Sequence, residues 1–131
     1  MQDFNIPYRC DDDTLTPDMP LLKMSLLFVE ASAELGRCID GTPKYKAMME
    51  KAGFEDVKQQ MFKWPLNPWP RDAYYKELGQ WTLANIDTGL EGLCLGLYTR
   101  ALKWTAEETH LICSDVRKQL RDPKIHGYVP V

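Results

Sequence analysis

Few side chains of this sequence stand at spacings that support catalysis. His110 and Cys113 lie three residues apart on a predicted helix, which permits contact, but nothing near them predicts a group that would orient the imidazole. His126 precedes Gly127 in a predicted turn. It is a candidate general base, although a partly exposed loop histidine or a charge at a helix end is the commoner role. No catalytic residue is assigned from these spacings, so the catalytic set stays unknown.

The glycine pattern argues against a nucleotide-type cofactor site within these residues. Phosphate and dinucleotide loops need glycines separated by one residue, so that bare backbone can approach the ligand. No two of the 8 glycines have that spacing. We therefore expect no cofactor-binding residue and no cofactor bound by this chain alone.

The metal-ligating residue types are also scattered. None of the 4 cysteines forms a C-x-x-C pair, and the 2 histidines have no partner at a zinc spacing, so no metal site is predicted. The run Asp11–Asp13 suggests a cation site at first sight. The favoured interpretation is a solvated loop, because adjacent like charges repel one another.

The composition predicts one folded domain that spans residues 1–131. The chain is 44% hydrophobic and carries a net charge of −3, with dispersed basic residues. Without a basic stripe we expect no nucleic-acid partner, and without a long apolar run we expect no membrane span. The lack of a signal-peptide pattern predicts a reducing, cytoplasmic location with free thiols, and a nuclear location stays open.

Periodicity predicts a helix-rich chain with three short strand pieces. The strands are expected at residues 2–6, 57–64 and 128–131. Helices are expected from Pro17 or Pro20 to Leu35, from Thr42 to Ala52, from Asp72 to Lys103 and from a Thr105 capping box to residue 121. Gly89 predicts a break or bend in the long third helix, and Gly92 and Gly96 predict close helix contact.

Several strings of the sequence resemble one protein family. They follow in chain order: Gln2–Tyr8, Pro43–Lys46, Ala52–Val57, Phe62–Pro70, Leu90–Gly92 and Val116–Tyr128. In order and spacing they are similar to the C-terminal half of fungal class I S-adenosylmethionine-dependent methyltransferases. The branch in question is that of secondary metabolism, which includes relatives of the velvet-complex regulator. The resemblance covers essentially the whole chain.

The resemblance implies an α/β fold, namely the helix-rich C-terminal part of a Rossmann-like class I methyltransferase with an incomplete sheet. Strands five, six and seven of the family would remain, with strand seven antiparallel between the other two. The family's cofactor loop would lie before Met1, so a partial domain without the N-terminal cofactor-binding half is expected. S-adenosylmethionine would then belong to the full-length family, and strand five would present an open edge.

The favoured function is therefore a truncated methyltransferase-like protein of fungal secondary-metabolite biosynthesis that does not methylate alone. One alternative is an interaction module that docks on an intact methyltransferase, on a pathway enzyme or on a second copy of itself. Another is a cofactor-free protein that binds or cyclises a small apolar metabolite. For that role the candidate substrate wall consists of Tyr8, Trp64, Trp69, Trp81 and His126. Core packing is the favoured role of these aromatic residues.

Overall fold

The computed structural model describes all residues, 1–131. It contains four α-helices: α1 (Pro20–Glu34), α2 (Tyr45–Lys51), α3 (Ala73–Leu97) and α4 (Ala106–Leu120). A 3₁₀ turn (Thr42–Lys44) leads into α2, and a π-helical turn (Tyr98–Leu102) ends α3. The two strands are β1 (Lys63–Pro65) and β2 (Tyr128–Pro130). No helix combines the length and the hydropathy that a membrane crossing requires.

Local signals set most helix ends. Gly36 and Gly53 follow the C-cap residues Leu35 and Ala52 of α1 and α2. Their φ values are +69° and +95°, which glycine tolerates without steric cost. Thr105 and Glu108 form the predicted capping box at the start of α4, with both side-chain hydrogen bonds present. At the start of α1, Met19 occupies the N-cap position without a side-chain hydrogen bond, and Thr16 bonds to Asp18.

The long third helix differs from its prediction. It runs from Ala73 to Leu97 without interruption, so a break at Gly89 is wrong, while the alternative of a bend there stays a prediction. Gly92 and Gly96 have no heavy atom within 4 Å of a hypothetical Cβ, so they are not points of close helix contact either. Backbone hydrogen bonding and packing of the flanking apolar residues outweigh the modest cost of each helical glycine.

The sheet is smaller than predicted. β1 and β2 pair antiparallel, with Trp64 opposite Val129. Only the last two residues of the predicted strand 57–64 belong to β1, because residues 57–61 have no strand opposite them and are mostly exposed. Residues 2–6 form no strand, although the adjoining segment pairs with the other edge of β2. Asn5 N–H donates to Pro130 O at 2.8 Å, and Arg9 forms an antiparallel bridge with Tyr128.

One apolar core joins these elements. It is built from α1, α3, α4 and the short sheet, with Leu21, Met24, Leu90, Val116 and Leu120 fully or almost fully buried. Tyr98 closes it, since the buried phenol donates to Met24 O at 2.9 Å. The structure is therefore helix-rich with a small two-stranded sheet, which is compatible with part of an α/β methyltransferase.

Candidate functional site

Three chain segments meet at one end of the small sheet, where strands begin or finish; this end is called the edge below. The N-terminal segment and β1 both run antiparallel to β2, so they run parallel to each other. Their carboxyl ends therefore lie on the same side as the amino end of β2. In open α/β sheets, ligands bind outside the carboxyl ends of parallel strands. This edge, which carries Cys10–Thr14, Trp69 and His126–Tyr128, is the candidate functional site.

Asp12 and His126 form the central pair of this site. Asp12 Oδ2 lies 2.5 Å from His126 Nδ1. The other carboxylate oxygen accepts from the Thr14 hydroxyl at 2.8 Å and from Cys10 Sγ at 3.0 Å. Thr14 Oγ1 in turn accepts from the backbone N–H of His126 at 2.8 Å. The loop and the turn before β2 are thus tied together through both side-chain and main-chain contacts.

Trp69 supports the imidazole from the connector that follows β1. The two ring centroids are 4.8 Å apart, with an interplanar angle of 35°. The indole N–H donates to Gly127 O at 3.1 Å, which fixes the indole relative to the same turn. His126 keeps about a third of its side chain exposed, 35%. The imidazole is therefore oriented on one face and at Nδ1 while remaining accessible.

A second polar group lies beside the first. Asp11 accepts from the Tyr128 hydroxyl at 2.8 Å and pairs with Lys63 Nζ. Lys63 also lies 4.8 Å from the centroid of the Tyr128 ring. The two adjacent carboxylates therefore serve different partners. Like-charge repulsion between them is offset by separate positive or proton-donating neighbours.

Hydrogen bonds keep both carboxylates ionised. The pKa of Asp12 is held well below its usual range, chiefly by the Cys10 thiol and then by His126 and Thr14. The pKa of Asp11 is lowered by Lys63 and Tyr128. Burial, followed by the bond to Asp11, raises the pKa of Tyr128. At neutral pH the site therefore combines two carboxylates and one ammonium group, and the ring of His126 lies beside them.

Curated relatives match this chain from end to end. The probable methyltransferase tdiE of Emericella nidulans is 34% identical over 131 residues, all of this chain and 41% of tdiE. The methyltransferase pytC of Aspergillus terreus is 32% identical over 94% of this chain and 38% of pytC. The secondary metabolism regulator LAE1 of Cochliobolus heterostrophus is 33% identical over 92% of this chain and 39% of LAE1. No family model matches, and no solved structure matches.

The chain is homologous to fungal methyltransferases and secondary-metabolism regulators. The resemblance inferred from its sequence strings is thereby confirmed. The chain spans about two-fifths of the length of the relatives it matches, 38% to 41%. That share is consistent with correspondence to the C-terminal part of such a protein.

Of the five predicted wall residues, the structure brings only Trp69 and His126 into ring contact. Tyr8 is 7% exposed in the core, and burial raises the pKa of its phenol. Trp64 is half-buried against Phe4, with ring centroids 5.8 Å apart. Trp81 lies on α3 with 69% exposure. A single wall made of all five residues is therefore not formed, and a substrate contact at Trp69 and His126 stays a prediction.

Sequence reasoning missed the two carboxylates of this site. The run of acidic residues predicts solvated loop charges for Asp11 and Asp12, yet each has a specific partner, Tyr128 and His126 respectively. Their exposure is real, but their organisation comes from pairing across more than a hundred positions, 114 for Asp12 and His126. The only local signal was the Asx-type spacing of Asp12 and Thr14, which favours a compact loop.

The described residues do not fit an adenosyl cofactor. The two carboxylates at the site are committed to protein partners, and no glycine pair offers bare backbone there. A cleft of about 400 Å³ lies elsewhere, between the N-terminal residues, α2 and residues 57–62. It does not include His126 or Trp69. No three His, Cys, Asp or Glu side chains gather closely enough to hold a metal ion.

Proposed function

We propose that these residues form the substrate-side part of a methyltransferase-like protein of secondary metabolism. Two of the relatives described above carry the word methyltransferase in their names, and another is named as a secondary metabolism regulator. The end-to-end match of this chain to them supports the proposal.

One structural observation carries the assignment to the substrate side. The N-terminal segment, β2 and β1 lie side by side in that order, with β2 antiparallel to both neighbours. This is the order that the resemblance implies for strands five, seven and six of a Rossmann-like methyltransferase. In that arrangement the Asp12–His126 edge corresponds to the carboxyl ends of the parallel strands, where ligands bind.

The same proposal holds that these residues do not methylate alone. The glycine spacing that an adenosyl group requires is missing, and the polar edge is occupied by internal pairs. A methyl donor would therefore have to be held by residues outside this chain, as in the matched relatives if they use S-adenosylmethionine.

Calorimetry with S-adenosylmethionine tests both halves of the proposal. The 131-residue chain should give no binding heat. A chimera in which these residues replace the matched 41% of tdiE should bind S-adenosylmethionine as the unaltered tdiE does. Micromolar, one-to-one binding by the chain alone would overturn the proposal. So would a chimera that is folded by circular dichroism yet does not bind, beside a parent that binds.

An interaction role is the second candidate, favoured by the N-terminal segment. That segment pairs with β2 on one side only, and no strand lies on its other side. Unpaired backbone edges favour association. Light scattering after size-exclusion chromatography should show a dimer or a complex with the remainder of tdiE. A strictly monomeric chain that forms no such complex would remove this candidate.

A further inference from the structure

The imidazole of His126 is held more firmly than a loop histidine normally is. Asp12 engages Nδ1, Thr14 engages the backbone N–H, and Trp69 covers one ring face. Asp12 is itself fixed by three hydrogen bonds from Cys10 and from the hydroxyl and N–H of Thr14. The position and the orientation of the ring are therefore both defined.

This arrangement selects one ring nitrogen for chemistry. A carboxylate at Nδ1 favours the proton on that nitrogen, which leaves Nε2 as the basic one. Nε2 makes no hydrogen bond within the protein, and the ring is accessible. A negative charge beside Nδ1 also stabilises the imidazolium that forms when Nε2 takes a proton.

We infer that His126 accepts a proton at Nε2 from a phenolic hydroxyl bound at this edge. The inference rests on the proposed function in taking the edge as the substrate side. In the step, the phenol O–H bond breaks and an N–H bond forms at Nε2. The phenolate keeps the electron pair, and the imidazolium is balanced by Asp12.

The acidity of the groups favours phenols over other hydroxyl compounds. A phenol has a pKa of about 10, whereas water, at about 15.7, is several units less acidic. A general base therefore removes the proton of a phenol more readily than that of water. The indole of Trp69, next to the imidazole, adds an aromatic surface suited to a flat ring.

The test uses 4-nitrophenol, whose ionised form absorbs visible light. The 131-residue chain in saturating excess should lower the ionisation midpoint of the probe by about one pH unit, because a nearby imidazolium stabilises the phenolate. His126→Gln should abolish the shift, and Asp12→Asn should reduce it. His110→Gln is the matched control and should leave the shift intact. Circular dichroism checks that each variant is folded.

A purely structural role for the cluster predicts a different outcome. In that case the ionisation midpoint of 4-nitrophenol would be the same with saturating wild-type protein as without protein, or the shift would persist with His126→Gln. Either result overturns the inference. The Trp69 indole N–H resonance gives an independent readout, since it should move when the probe binds wild-type chain. No methyl donor is present, so failure here leaves the S-adenosylmethionine experiment, and the proposed function, standing.

Discussion

Gly79 lies directly against the backbone carbonyl of Asn67. A Cβ added at Gly79 would be 2.2 Å from that oxygen, well inside any real contact. Asn67 is fully buried, and its Nδ2 donates to Asp122 O and Ile125 O, both at 3.1 Å. Helix α3 therefore packs directly against the connector that carries Trp69. Asn67 of this connector is hydrogen-bonded in turn to the segment that carries His126.

Gly79→Ala should destabilise the protein by about 1–3 kcal/mol, because either the helix or the connector must shift to relieve the clash. Urea unfolding followed by circular dichroism measures the change. Gly92→Ala is the matched control on the same helix, with open space around the new methyl group. It should be neutral or stabilising by about 0.5–1 kcal/mol. Equal changes in unfolding free energy for the two substitutions would contradict the close packing of Gly79 on Asn67.

Thr105→Ala should cost about 1 kcal/mol of unfolding free energy. The substitution removes the hydroxyl that accepts from Glu108 N–H at 3.1 Å and so half of the capping box of α4. Thermal or urea unfolding detects the loss. Thr88→Ala is the control, since that exposed hydroxyl only bonds back to Ala84 O within α3. A loss at Thr88 as large as that at Thr105 would show that the cap contributes nothing specific.

Signals confined to a few neighbouring residues could be predicted from the sequence. The Thr105 capping box depends on backbone geometry within one helical turn, and the structure has it as expected. The family resemblance was also predictable, because it rests on strings in a fixed order. Each of these signals depends only on residues that are close together in the sequence.

Features that depend on distant partners could not be predicted in the same way. Nothing near Asp12 indicates that His126 lies opposite it, and nothing near Gly79 indicates the carbonyl of Asn67. The strand expected at residues 57–64 failed for the same reason, since strand formation requires a partner that local composition does not reveal. The hydrogen-bonded geometry of the site therefore emerged only from the fold.

The ionisation of Asp87 should make the free energy of unfolding depend on pH. Arg121 and Arg117 on α4 hold the pKa of this α3 carboxyl below its usual value. A lowered pKa in the folded state contributes stability that is present above the ordinary value of about 3.9 and is lost as the pH falls through the folded pKa. Asp87→Asn should therefore cost about 1 kcal/mol at neutral pH and much less in strong acid.

Urea midpoints measured at neutral pH and below the ordinary aspartate pKa check this dependence. Asp115→Asn is the control, because its partner Lys118 is 73% exposed and the pair lies within α4. It should change stability little at either pH. A pH-independent effect of Asp87→Asn would mean that the carboxylate stabilises the helix pair by packing rather than by charge.

The thiols should differ sharply in their reactivity toward iodoacetamide. Cys94 and Cys113 are fully buried, and burial raises the pKa of both, so they should react only after unfolding. Cys38 is exposed, but its thiol donates to Asp40 Oδ1 at 2.9 Å, and that bond raises its pKa. Since the thiolate is the reactive form, Cys38 should be modified slowly for an accessible thiol.

Asp40→Asn should accelerate modification of Cys38 several-fold at neutral pH, because the amide no longer opposes ionisation of the thiol. Mass spectrometry of peptides from timed reactions gives the rate at each cysteine. Cys10, which donates to Asp12 at the other loop, serves as the internal control and should react at an unchanged rate. An unchanged rate at Cys38 would show that access to the sulfur, rather than its ionisation, limits the reaction.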